Sequence, residues 1–326
     1  MNIFLTGATG YIGHSLAVEL TRRGDTVHAL VRDITKAKRQ LPHEIKLFQG
    51  DITDINQVRL AMAGCTQVYH LAAYTRLWSA KRQQFFEINV DGTRNVLDAS
   101  VEHNIEKLVY TSSCGVLGNS LKHPLSEKDS RINSITNDYD FTKHMCECMI
   151  REYSAKGLHC VIVNPSRVYG PGQEGFSNPF STMISRCLEG KVIVVPGPGH
   201  IVANYAYIDD VVQGHIAAMR FGKSGERYIL GGANLSYKDV IRNIRSQIPQ
   251  SRIISVQPSI LKALGWWNIM KYRLSGKEPQ LTPNVVKRIT KNAALDCSRA
   301  VSELQYSITP FDSGIQMTIR HNQHSL

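Results

Sequence analysis

Short apolar runs recur through the first half of the chain, each followed by a longer stretch with helical spacing of its apolar residues. The runs are Ile3-Phe4-Leu5, Thr26 to Val31, Ile45 to Phe48, Gln67 to Leu71, Lys107 to Tyr110 and Cys160 to Val163. Near-continuous apolar runs suit strands covered on both faces, as in a parallel sheet. The segments between them, such as Leu16 to Leu20, residues 54–63 and Tyr139 to Tyr153, read as helices. Strand and helix in alternation predict an α/β fold, with a doubly wound parallel sheet over residues 1–165. Residues 166–326 are expected to form mainly a smaller substrate-binding region, with some elements returning to the sheet.

The first run passes without a spare residue into Thr6-Gly7-Ala8-Thr9-Gly10-Tyr11-Ile12-Gly13 and then a helix. Such a turn aims backbone N–H groups and the positive end of a helix at one point, where a pyrophosphate is the usual anion. Gly7 suits the tight turn, Gly10 the approach of the phosphates and Gly13 the packing of helix on strand. The second run ends at Val31, and Arg32 follows with Lys36, Lys38 and Arg39 close behind. A carboxylate at this place accepts from the ribose 2′-OH, whereas an arginine pairs with a 2′-phosphate. NADP(H) is therefore favoured over NAD(H), although a strand ending two residues later would put Asp33 at the ribose instead. Asp51 and Ile52 end the third run and face the adenine in this layout. Asp51 or Thr53 equally suits the N-cap of the helix that follows. Ala72 and Ala73 after Leu71 leave room for a dinucleotide across the strand ends, and Thr111 follows the fifth strand at its carboxyl end.

Composition narrows the class. With 42% apolar and 20% charged residues among 326, the chain is expected to be globular rather than disordered. Met1 leads straight into the first strand, and no apolar run approaches the roughly 18 residues of a membrane helix. A cytoplasmic location is expected. Seven cysteines without a CxxC pair indicate neither a disulfide framework nor a zinc site, and Asp209-Asp210 reads as a helix N-cap rather than a metal site. The net charge of +11 is uneven: residues 1–165 carry 19 Lys and Arg against 17 Asp and Glu, or +2, and residues 166–326 carry 19 against 10, or +9. A solvated surface or an anionic substrate accounts for the excess, and nothing signals nucleic acid.

The chemistry follows the fifth strand. Ser113 ends Thr111-Ser112-Ser113, and Tyr139-Asp140-Phe141-Thr142-Lys143 sets a phenol and an ammonium on one helix face. A phenol, whose ordinary pKa is about 10, becomes a better acid–base group when a cation favours its phenolate. Glycine turn, Ser113, Tyr139 and Lys143 in this order resemble the short-chain dehydrogenase/reductase superfamily. The chain resembles its extended branch through His70-Leu71-Ala72-Ala73, Asn89-Val90-x-Gly92-Thr93, Asn164-Pro165-Ser166-Arg167-Val168-Tyr169-Gly170 and Tyr207-Ile208-Asp209-Asp210. Within that branch it is similar to dihydroflavonol reductase-like and 3β-hydroxysteroid dehydrogenase-like proteins. Through Arg76-Leu77-Trp78 and Gly225 to Gly232 it is also similar to hopanoid-associated sugar epimerases.

The resemblance implies a Rossmann-like fold, a small-molecule substrate and a homodimer through the helices near 90–100 and 140–155. It also implies that Ser113 bonds the substrate oxygen, Tyr139 transfers a proton, and Lys143 holds the nicotinamide ribose and tunes Tyr139. Pro165, Ser166 and Val168 would line the nicotinamide. Two departures count against the nucleotide-sugar members: Gly115 replaces a frequent second hydroxyl, and Val31-Arg32 replaces an acidic residue. The expected activity is NADP(H)-dependent interconversion of a carbonyl and a secondary alcohol. The alternatives are an NAD-dependent sugar or nucleotide-sugar epimerase or dehydratase and, behind it, a non-catalytic dinucleotide sensor. Elsewhere, Tyr74 to Trp78 reads as a substrate loop, Ser177 to Gly190 as a helix over the site, Pro196 to Gly199 as a turn and residues 236–248 as an outer helix. Asn89 suits either a structural or a site role. Leu261 to Arg273, with Trp266 and Trp267, reads as ordinary packing in preference to an apolar cap or a lipid-facing segment.

Overall fold

A computed structural model describes residues 1–76, 78–129, 131, 134–172, 178–197, 199–276, 278–279 and 281–325. Leu77, Ser177 and Pro198, on which parts of three sequence expectations rest, lie outside the described residues. The first six strands are β1 (Asn2–Thr6), β2 (Thr26–Val31), β3 (Lys46–Gln49), β4 (Gln67–His70), β5 (Lys107–Thr111) and β6 (Cys160–Pro165). Then come β7 (Arg167–Tyr169), β8 (Val192–Pro196), β9 (Val202–Tyr207), β10 (Arg227–Leu230), β11 (Ala233–Ser236) and β12 (Arg252–Val256). The main sheet has seven parallel strands in the order β10-β6-β5-β4-β1-β2-β3. Its order reverses between β1 and β4, which opens a crevice at the carboxyl ends of those two strands.

The apolar runs divide cleanly between the two faces. Ile3 and Leu5 pack with Leu16, Leu20 and Val211 on one side, while Phe4 packs with Val58, Met62 and Leu97 on the other. Val161 and Val163 against Cys160 and Ile162 repeat the pattern in β6, as a pleat of period two requires. The return of β10 to pair with β6 brings the second half into this core. The rest of the second half forms two small sheets, β11-β9-β7 and β12-β8, with helices including Pro179–Leu188, Tyr237–Gln247, Pro258–Ser275 and Pro283–Ile289.

Several local expectations change. The cap of the helix Ile55–Met62 is Asp54, whose carboxylate accepts from the backbone N of Asn56 and Gln57; Asp51 instead bonds Thr53, two residues on. Asp209 and Asp210 lie inside the first turn of the helix Ile208–Phe221, which Tyr207 begins without a side-chain cap. Asp210 is taken by Thr309, accepting from its N and Oγ1 at 2.7 Å each, so it ties the C-terminal segment to the sheet. The helix Tyr237–Gln247 is not simply an outer one, because Tyr237, Val240, Ile241 and Ile244 turn inward to a cleft. Trp266 and Trp267 are not packed: they are 62% and 64% exposed.

Candidate active site

One cleft of about 980 Å³ lies over the carboxyl edge of the main sheet, and it gathers the residues that the sequence assigned to catalysis and to the dinucleotide. Gly7, Thr9, Gly10, Tyr11, Ile12 and Gly13 form one end, with Arg32, Asp51 and Ile52 beside them. Leu71, Ala72, Ala73, Thr111, Ser113, Tyr139, Lys143, Pro165, Ser166 and Val168 line the same cleft.

The glycine turn is shaped for an anion. Gly7 has φ of +78°, and a Cβ there would sit 2.7 Å from Ala72 N. At Gly13 a Cβ would lie 2.1 Å from Gly7 O, so helix and turn touch only because Gly13 has no side chain. The helix Tyr11–Arg22 starts at Gly10 with no side-chain cap and no acidic residue in its first turn. Its leading N–H groups therefore face the cleft without a competing carboxylate, which fits a pyrophosphate. β2 ends at Val31 as the apolar run indicates, and Asp33 caps the next helix by accepting from Lys36 N at 2.9 Å. Arg32 and Lys36, but not Asp33, line the cleft.

A relay of neutral groups holds this floor. Ala72 N donates to Thr6 Oγ1, which lies 2.7 Å from His70 Nδ1; His70 Nε2 is 3.0 Å from Thr93 Oγ1, which in turn donates to Asn89 O. Burial and the Lys143 cation push the His70 pKa down to about 3, so the ring is a neutral strut. Asn89 sits in a π-turn, Phe86–Asp91, within the helical stretch from Gln83 to Glu102, and does not line the cleft. Its side chain accepts from Tyr74 N at 2.7 Å and donates to Thr142 Oγ1 at 2.9 Å, joining the loop after β4 to the Tyr139 helix.

Tyr139 and Lys143 lie one turn apart on the helix Asp138–Ala155, whose start is fixed by the Asn137 side chain accepting from Asp140 N. Lys143 is buried; its Nζ donates to Thr111 O at 2.7 Å and lies 4.6 Å from the centre of the Tyr110 ring. Burial lowers its pKa to about 8, opposed by Cys146 and Glu147. Tyr139 moves the other way, to about 12, through burial and then the Asp140 carboxylate. Lys143 is not among the groups that set this shift. The groups that do favour the phenolate are Arg288 and Ser113.

Arg288 was not legible as a site residue. It comes from the helix Pro283–Ile289, donates to both carboxylate oxygens of the buried Asp140 at 2.9 Å, and reaches the same cleft. The pair also accounts for Gly115, since a Cβ there would stand 2.0 Å from Asp140 Oδ1. The place of a second hydroxyl is thus filled by a carboxylate of the Tyr139 helix. Glu147 was missed as well. Fully buried on that helix, it accepts from Ser112 Oγ at 2.6 Å and Asn164 Nδ2 at 2.7 Å and bridges β5 to β6 beneath the site.

A profile described as the NAD dependent epimerase/dehydratase family matches residues 3–231. The chain belongs to this family. Its relatives within the family include a putative dihydroflavonol 4-reductase of Synechocystis sp., 30% identical over 92% of this chain and 88% of that one. Sterol demethylase protein B of Methylococcus capsulatus is 25% identical over 93% of each chain. The crystal structure of UDP-glucose 4-epimerase from Thermotoga maritima superposes with a TM-score of 0.83 over 100% of this chain and 99% of that one, at 20% identity, a likeness of fold. The protein is accordingly an NAD(P)-dependent enzyme of the extended short-chain dehydrogenase type.

Proposed function

We propose that this enzyme interconverts a ketone and a secondary alcohol on a large apolar substrate, with NADP(H) as the dinucleotide. The observation that carries the substrate class is the lining that the second half contributes to the cleft. Met183, Val240, Ile241, Ile244, Val285 and Ile289 come from three separate helices and are all apolar. A phosphorylated sugar gains nothing from such walls, whereas a fused-ring or long-chain substrate buries about 25 cal/mol of free energy per Å² against them. In this reading residues 1–165 hold the dinucleotide and residues 166–326 supply mainly the substrate walls.

The dinucleotide, when bound, supplies or accepts the hydride. The chain's own groups do the rest. The glycine turn holds the pyrophosphate, Arg32 with Lys36 takes the 2′-phosphate, and Asp51 and Ile52 border the adenine. Pro165, Ser166 and Val168 face the nicotinamide, and Lys143 and Thr111 hold its ribose. Ser113 bonds the substrate oxygen and Tyr139 gives or takes its proton, assisted by Arg288. A homodimer through the helices near 90–100 and 140–155, and a cytoplasmic location, belong to the same proposal.

A second reading, a nucleotide-sugar epimerase, rests on a separate recess of about 140 Å³ next to Ser113. Arg167, Lys287, Arg288 and Lys291 border it, and among the described residues no carboxylate pairs with Arg167. The deciding experiment follows NADPH absorbance with a panel of lipophilic ketones and, separately, UDP-sugars, using wild type and Ile244→Glu. Cofactor loss with a lipophilic ketone, abolished in the variant while NADPH still binds, supports the first reading. Epimer formation without cofactor loss supports the second.

A further inference from the structure

The helix Pro258–Ser275 contributes nothing to the cleft but has an unusual surface. Its inner side is anchored. Leu261 is buried, Asn268 Nδ2 donates to Leu281 O at 3.3 Å, and Tyr272 meets Trp78 ring to ring at 5.0 Å. Gly265 lets the backbone lie against Thr282 and Pro283, where a Cβ would come within 2.8 Å. Pro283 begins the helix that brings Val285, Arg288 and Ile289 to the cleft, and Trp78 belongs to the loop that brings Tyr74 and Thr75 there.

The outer side is apolar and bare. Ile260, Leu264, Trp266, Trp267, Met270 and Leu274 are between 47% and 91% exposed. At 100° per residue they fall on one continuous arc, opposite Leu261 and Gly265. A soluble surface helix ordinarily places polar residues on that side. Charge adds an independent clue. From residue 240 to 277 the sequence holds seven Lys and Arg and not one Asp or Glu, although the whole chain carries 27 acidic residues. On the helix itself exposed Lys262 flanks the apolar arc, and exposed Lys271 falls near its other edge, between Ile260 and Leu264.

We propose that this helix lies in the surface of an anionic lipid bilayer, with its apolar arc among the acyl chains and its cations at the headgroups. Two tryptophans suit the boundary between hydrocarbon and water, and an acid-free cationic stretch is complementary to negatively charged lipid. No helix among the described residues is long and apolar enough to cross a membrane, so the helix lies on the bilayer rather than through it. The docking itself rests on the exposed surface and holds whatever substrate the site takes.

The test is flotation of the full-length protein with vesicles of phosphatidylcholine alone or with a quarter phosphatidylglycerol, paired with tryptophan emission. Wild type is expected to float with the anionic vesicles and to shift its emission to shorter wavelength. The double variant Trp267→Glu with Leu274→Glu replaces two exposed side chains, and it is expected to lose roughly tenfold or more in partitioning while keeping its melting temperature and dinucleotide affinity. Equal partitioning of variant and wild type, or no flotation with anionic vesicles, overturns the proposal. So does a dimer that the double variant dissociates, because a second copy would then cover this face.

Discussion

Replacing Arg32 by alanine tests the dinucleotide preference at a single exposed side chain. Arg32 directly follows β2, lines the cleft, and among the described residues has no carboxylate partner, because Asp33 is committed to its helix cap. At about 4 Å in a water-exposed setting each unit charge pair contributes about 1 kcal/mol, and a phosphate carries nearly two charges. The loss is therefore about 2 kcal/mol, or roughly thirtyfold in NADPH affinity, reduced toward tenfold by salt and by the remaining Lys36 cation. NADH lacks the phosphate and should bind wild type and variant alike. Titration of NADPH and NADH by nicotinamide fluorescence, at low and at physiological salt, reads both numbers. Tighter binding of NADH than NADPH by wild type, or an equal loss for both cofactors in the variant, refutes the reasoning.

Two further outcomes follow from the site's packing. Gly115→Ala puts a methyl carbon into the Asp140–Arg288 pair, so we expect a loss of about 1–3 kcal/mol in stability together with a slower reaction, measured by thermal unfolding and by turnover. An unchanged melting temperature would show that the pair yields freely. Buried His70 and His215 are held neutral, with pKa values lowered by burial to about 3 and about 4. Since the folded values lie below the unfolded one, the stability they contribute is complete above about pH 6.5 and is lost as pH falls, each group approaching about 1.4 kcal/mol per pH unit. Melting temperature should therefore drop between pH 7 and 5, and drop less steeply in His215→Gln; a flat wild-type profile would contradict this.

The parallel sheet was legible because each strand is a short apolar run between helical segments, and β2 ends where its run ends, at Val31. The glycine turn and the Ser113, Tyr139 and Lys143 set were legible because their chemistry is concentrated in contiguous motifs. What escaped was long range. Arg288 lies 148 residues from Asp140, and no local pattern announces that pair. The upward shift of Tyr139 comes first from burial, which spacing does not reveal. The exposed Trp266 and Trp267 were misread for a related reason: apolar density indicates that a segment prefers to leave water, but not whether protein or lipid receives it.

The central claim is that Tyr139 serves a net redox reaction on an apolar ketone. Its most direct measurement is the ratio of NADPH consumed to secondary alcohol formed, with wild type and Tyr139→Phe compared at saturating cofactor. The account predicts a ratio near one for wild type and a rate at least roughly a hundredfold lower in the variant, with NADPH binding retained. Full turnover by Tyr139→Phe, or product formed with no NADPH consumed, would contradict it.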